Sequence, residues 1–167
     1  MDTQGDKEYS NFAQKRGVAR LSAVQALYQI DIVGCSIGEV LSEHDTYQFY
    51  KEIDENVYSQ VDLEWFRVIV HGVTENKNHI DGLISSCLTE GWSLARLDLI
   101  VCAILRAGLF ELINCYSVPV EVIISEYVSI AHAFFDNSEP NFINAVLDRL
   151  SRSPDMKRKK NGLAIAT

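Results

Sequence analysis

Three basic side chains near the start of the chain, Lys15, Arg16 and Arg20, have the type and spacing to hold phosphate. Arg16 and Arg20 are four residues apart, so a helix carries both on one stripe, and a guanidinium meets phosphate oxygens as a planar fork. Three basic residues on a helix are ordinarily a solvated face. Reading them as a nucleic-acid contact requires an aromatic or amide group near them in space. Asn141, Phe142 and Asn144 are of that kind, since stacking and base-edge hydrogen bonds are how single-stranded RNA is read. Phe142 has an equally simple packing role, because Ile143, Val146 and Leu150 follow it at helical spacing. Pattern alone leaves both open. The run Lys157, Arg158, Lys159, Lys160 is either a solvated end or a source of general phosphate attraction.

Other chemistries have no residues to carry them. His71 and His79 stand eight positions apart on one expected helix, too far for a single chelate, and no HExxH or Cys-His spacing occurs. There is no GxSxG nucleophile elbow, and none of the nine glycines belongs to a GxGxxG or GxxxxGK phosphate loop. The four cysteines, at positions 35, 87, 102 and 115, show no CxxC spacing. They read as reduced core or near-core residues of a cytoplasmic protein. No catalytic residue, metal or cofactor is expected.

At 167 residues the chain suits one compact domain with a single core. The formal charge of −8 is unevenly spread. Ser36 to Glu64 holds eight acids against Lys51 alone, whereas four of the fifteen basic residues lie in the terminal KRKK run. An acidic flank repels nucleic acid, so RNA contact is expected at a local, salt-sensitive basic patch. No apolar run follows a basic start, and Leu97 to Ile113, the most apolar stretch, is interrupted by Asp98, Arg106 and Glu111. Neither a signal peptide nor a membrane span is expected.

The elements that must position these residues read as all-α. Residues 1–9 are expected to be flexible. A first helix should start at Ser10 or Asn11 and reach about Val33, its basic end projecting and its apolar end packing. Gly34 and Gly38 break the pattern and a second helix should follow, with Ile37, Val40, Leu41 and Phe49 inward, and Lys51 to Val61 should be a connection. As an N-cap or a first-turn acid, Asp62 should open a long helix running through Ile84, in which Gly72 marks a close helix crossing. After a break at Glu90 to Arg96, a central helix should span about Leu97 to Asn114. Pro119 and Pro140 should open two more helices around a polar loop, Phe135 to Asn141, and Ser153-Pro154 should end the last near Arg152. One domain is expected over 10–152, in two halves meeting near 85–97, followed by a disordered basic tail at 153–167.

Four segments occur in an order that points to a known family: AVQALYQ (Ala23 to Gln29), ILRAGLFEL (Ile104 to Leu112), VPVEVIISEYVSIAH (Val118 to His132) and FINAVLDRL (Phe142 to Leu150). Across roughly residues 14–152 the chain resembles the NusB family of bacterial transcription antitermination factors. That resemblance implies a compact fold of six to seven helices in two small subdomains. It also implies a non-enzymatic role: binding boxA-type single-stranded RNA of ribosomal RNA operon transcripts with NusE, a small-subunit ribosomal protein, within an RNA polymerase antitermination complex. By carry-over, Arg16 and Arg20 contact RNA with Lys15 as an accessory, the loop before Phe142 is an RNA contact, and Tyr28 is a partner-facing aromatic or a core tyrosine. The family is variable in forming homodimers.

This chain departs from the family pattern at Gly17 and Val18, inside a usually denser arginine run, and at Glu139 and His132, where serine and lysine are common. The last two replacements imply weaker intrinsic RNA affinity and more dependence on a partner that supplies charge. Two other readings are a purely protein-binding helical scaffold, and a detached RNA-binding module like that of rRNA cytosine methyltransferases. RNA binding in the presence of NusE separates the scaffold. The module reading requires the chain to be a fragment, because no Gly-rich methyl-donor region is present.

Overall fold

The computed structural model describes residues 3–42 and 61–156. Helices account for its regular structure, and no strand occurs among the described residues. The chain divides into two compact units, residues 1–71 and 72–167. The division lies inside a helix rather than near 85–97. The reason is that the helix before that break packs on two helices beyond it and so belongs with the second unit.

In the first unit, α1 spans Thr3–Val33, seven residues earlier than the expected start at Ser10. Its buried stripe is Ala19, Arg20, Ala23, Val24 and Leu27, at helical spacing. Gly34, at φ 71, ends the helix in the left-handed conformation that glycine adopts without strain, and its N–H reaches the Ile30 carbonyl at 3.0 Å. Ser36 then starts a further helical segment over 37–42. Its hydroxyl accepts from the Glu39 N–H at 3.2 Å while Glu39 Oε2 accepts from the Ser36 N–H at 2.7 Å, a reciprocal capping box. The Ser36 N–H, and then its hydroxyl, hold the Glu39 carboxyl below the ordinary carboxylate range. Val40 is buried as expected, with Ile37 and Leu41 half-buried. The expected inward Phe49, the connection up to Gln60 and the KRKK run lie outside the described residues.

Helix α2, Leu63–Glu75, opens on Asp62, whose Oδ1 accepts from the Trp65 N–H at 3.0 Å. It does not continue to Ile84. At Asn76 the side-chain amide donates to the Gly72 carbonyl at 2.8 Å, competing with the helical ladder, and α3 begins at Lys77 and runs to Cys87. A turn and a short 3-10 segment, Leu94–Arg96, lead to α4, Leu99–Asn114.

Asp98 Oδ1 accepts from the Ile100 N–H at 2.7 Å, which fixes the start of α4 two residues later than Leu97. Truncation by Asp98→Ala is expected to cost about 1 kcal/mol, the typical worth of an N-cap, read as a lower denaturation midpoint. Residues 101–112 of α4 are buried without interruption, so it is the axis of the second unit. Helices α3, α5 (Val120–Phe134) and α6 (Glu139–Ser151) pack around it. Pro119 is the N-cap of α5 and Pro140 lies in the first turn of α6, where a missing N–H is harmless. The loop is therefore shorter than expected, 135–138, because α6 already begins at Glu139.

Two features lock this unit. The Cβ of any larger residue at Gly72 would overlap the ring of Phe110, so the backbone at Gly72 lies close against α4. Gly108 is similarly close to Leu147, where an added Cβ would come within 3.1 Å of its Cδ1. The second feature is an ion pair between α3 and α4. Arg106 Nε donates to Asp81 Oδ1 at 2.7 Å and Nη2 to Oδ2 at 3.0 Å, a two-pronged bond between largely buried groups.

Candidate nucleic-acid interface

The candidate residues fall in both units. Lys15, Arg16, Arg20 and Tyr28 lie on α1 of the first, and Asn141, Phe142 and Asn144 at the start of α6 in the second.

On α1, the basic end does not simply project. The Arg16 guanidinium lies 4.5 Å from the Phe12 ring centre and 4.0 Å from that of Trp65, within range of cation–π attraction to both. Its Nε is 3.5 Å from Asp62 Oδ2, too long for a good hydrogen bond, and that buried nitrogen has no hydrogen-bond partner. The Arg16 side chain keeps 14% exposure. Arg16 is thus held in place, with donors still unused. Arg20 is a correction to the projecting stripe: it is 3% exposed and engaged within the fold, because position 20 falls on the buried stripe of α1. Lys15 and Tyr28 are half-buried. The Lys15 carbonyl also accepts from the Asp62 N–H at 3.2 Å, which ties α1 to the entry of α2.

Sequence reading missed Phe12, Asp62 and Trp65 as the groups that orient Arg16. Phe12 and Arg16 are four apart on one helix, which was a readable signal. Asp62 was legible only as a cap, and nothing local pairs Trp65 with α1.

At the start of α6, Asn141 and Asn144 are exposed and Phe142 is half-buried, with Ile143 carrying the core contact instead. Phe142 therefore serves partly as packing and partly as surface. Its ring faces Trp92, with centroids 6.5 Å apart and planes at 37°. The amides of Asn141 and Asn144 can offer both donors and acceptors to base edges, and the free edge of Phe142 can stack.

Among the described residues, no group of three or more His, Cys, Asp or Glu side chains could hold a metal. No described helix is long and apolar enough to cross a membrane. All four cysteines are free thiols, with Cys102 and Cys115 buried.

A held arginine beside two aromatic rings, and exposed amides at the start of one helix, are the equipment of a helical binding protein. The comparisons with known proteins give the family. A profile of the NusB family matches residues 18–152. A Rhizobium rhizogenes protein named transcription antitermination protein NusB is 48% identical over 160 residues, covering 96% of this chain and all of that one. Among solved structures, NusB of T. maritima superposes with a TM-score of 0.66 at 30% identity, over 82% of this chain and 90% of that one. The structure described as antitermination factors NusB and NusE in complex with dsRNA superposes with a TM-score of 0.67 at 25% identity, over 83% and 96%. The chain belongs to the NusB family of transcription antitermination proteins, whose named role is not a catalytic one.

Proposed function

We propose that this chain is a non-enzymatic, cytoplasmic antitermination factor that binds boxA-type single-stranded RNA of rRNA operon transcripts together with NusE, within an RNA polymerase antitermination complex. The observation that carries the reading is near-full-length similarity to proteins named for antitermination, one of whose family was crystallised with NusE and RNA. The RNA of that neighbour is double-stranded. A single strand is favoured here because stacking on Phe142 requires a base free of its own stack.

In this reading Lys15 and Arg16 neutralise phosphates, and Arg16 does so from a guanidinium already oriented by Phe12 and Trp65. Arg20, one turn further along α1, is buried and engaged within the fold. Asn141, Phe142 and Asn144 read bases, and Tyr28 faces the protein partner. Glu139, in the first turn of α6, opposes phosphate close to these residues, so affinity depends on charge brought by NusE.

Replacing Lys15 and Arg16 with glutamine is expected to weaken RNA binding and to flatten log K against log salt by about 0.7 for each phosphate that is no longer neutralised. Retained helical circular dichroism would show that the fold survives. An unchanged slope would place the phosphate-binding groups elsewhere. The activity itself is tested by transcription through a terminator on a template carrying boxA, with NusE present. Adding this protein should raise read-through on that template and not on one with scrambled boxA. Equal read-through on the two templates would overturn the reading.

A further inference from the structure

Trp92 is 57% exposed, an unusual place for the largest apolar side chain. The chain builds a turn to put it there: its N–H donates to the Thr89 carbonyl at 3.0 Å, and Gly91 takes φ 87, which other residues rarely adopt. Trp92 and Phe142 together line a groove of 590 Å³, with Leu97, Val101 and Val146 also in its wall. That is the size range of small-ligand sites, about 300–1,000 Å³. The whole groove lies within the second unit.

Two exposed arginines stand on its rim. Arg96 Nη1 donates to the Gly91 carbonyl at 2.8 Å, and Arg149 Nη1 to the Cys87 carbonyl at 3.3 Å. Each guanidinium is thereby oriented by one bond and keeps other donors for a ligand. Two carboxylates also line the groove. Asp98 is occupied as the cap of α4, whereas Glu139 is an acceptor able to take a bond from an exocyclic amine.

A flat ring and an adjacent phosphodiester match this set. The aromatic pair and apolar wall suit the ring, and the two oriented cations suit the phosphates. A purely apolar peptide segment would use the wall and leave both guanidiniums idle. The geometry points to a nucleotide subsite: one unstacked base of the bound RNA lies against Trp92, with its flanking phosphates on Arg96 and Arg149. This rests on the RNA-binding reading and extends it to residues that neither the basic helix nor the Asn141 to Asn144 surface includes.

The test measures binding of a boxA-type RNA in the presence of NusE, for the full chain and two sets of variants. Trp92→Ala should weaken binding about 5- to 100-fold with an unchanged salt slope, because stacking carries no counterion release. Trp92→Phe should retain most of the affinity. Arg96→Gln should instead lower the slope by about 0.7. Indole emission should be quenched by RNA in the parent chain, and the part due to Trp92 should be lost in Trp92→Phe, which keeps Trp65. RNA binding by the parent chain with Trp92→Ala and Arg96→Gln unaltered would overturn the subsite and leave the RNA reading standing. Loss of NusE binding in these variants, with RNA binding to the chain alone unaltered, would overturn it in favour of a protein-docking groove. Failure of the parent chain to bind any RNA would overturn the reading and the subsite together.

Discussion

Replacing Asp81 with alanine is expected to lower the stability of the second unit by about 2–4 kcal/mol. Arg106 lies on the central helix, its side chain only 11% exposed, and Asp81 meets two of its nitrogens. Removing the carboxylate takes two charge-assisted bonds from a guanidinium in a place that water reaches poorly, and the loss of those bonds sets the cost. The Asp81 side chain keeps 26% exposure, which lets solvent enter and places the effect below the upper end for fully buried pairs. Replacing both partners, Asp81→Leu with Arg106→Met, should recover most of the loss, since an apolar pair of similar volume needs no counter-charge. Chemical denaturation followed at the transition of the second unit measures both. A change below about 0.5 kcal/mol for Asp81→Ala would mean that the pair is in effect a surface one.

The second large effect concerns Gly72. Helix propensity alone predicts that Gly72→Ala stabilises by about 1 kcal/mol. The ring of Phe110 decides otherwise, because the new methyl would occupy its space and Phe110 is 4% exposed in a packed core. Overpacking of this kind costs about 1–3 kcal/mol, which outweighs the gain in propensity. Gly72→Ala should therefore destabilise, and Phe110→Leu should partly rescue it, giving a coupling between the two sites in a double-mutant cycle. Additive effects would show that the ring moves aside freely.

Gly72 also illustrates what was legible in the sequence. A glycine inside an amphipathic pattern signalled close approach, though not its partner, which lies on a different helix. The same limit recurs through the chain. Asp62, Pro119 and Pro140 marked helix starts because capping is local, and the apolar circumference of residues 101–112 marked the central helix. The break at Asn76 was hidden, because a polar residue on an exposed position leaves the apolar period intact on both sides. Arg20 was misplaced because its charge was weighed before its position: with Ala23, Val24 and Leu27, residue 20 completes a buried stripe.

The candidate interface was legible as residue types and not as geometry. Arg16 and Phe142 could be named, and the resemblance of four ordered segments supplied their family context. Their aromatic companions, Trp65 and Trp92, come from distant sequence and are fixed by tertiary packing, which no local pattern encodes.

The reading proposed for this acidic chain is that it recognises RNA through basic and aromatic side chains and does so with NusE. Equilibrium binding of a boxA-type single strand and of a scrambled strand, each with and without NusE, tests it most directly. Preference for the boxA-type strand, tighter binding when NusE is present, and affinity that falls as salt rises are the expected results. Equal affinity for the two strands under both conditions would contradict the reading.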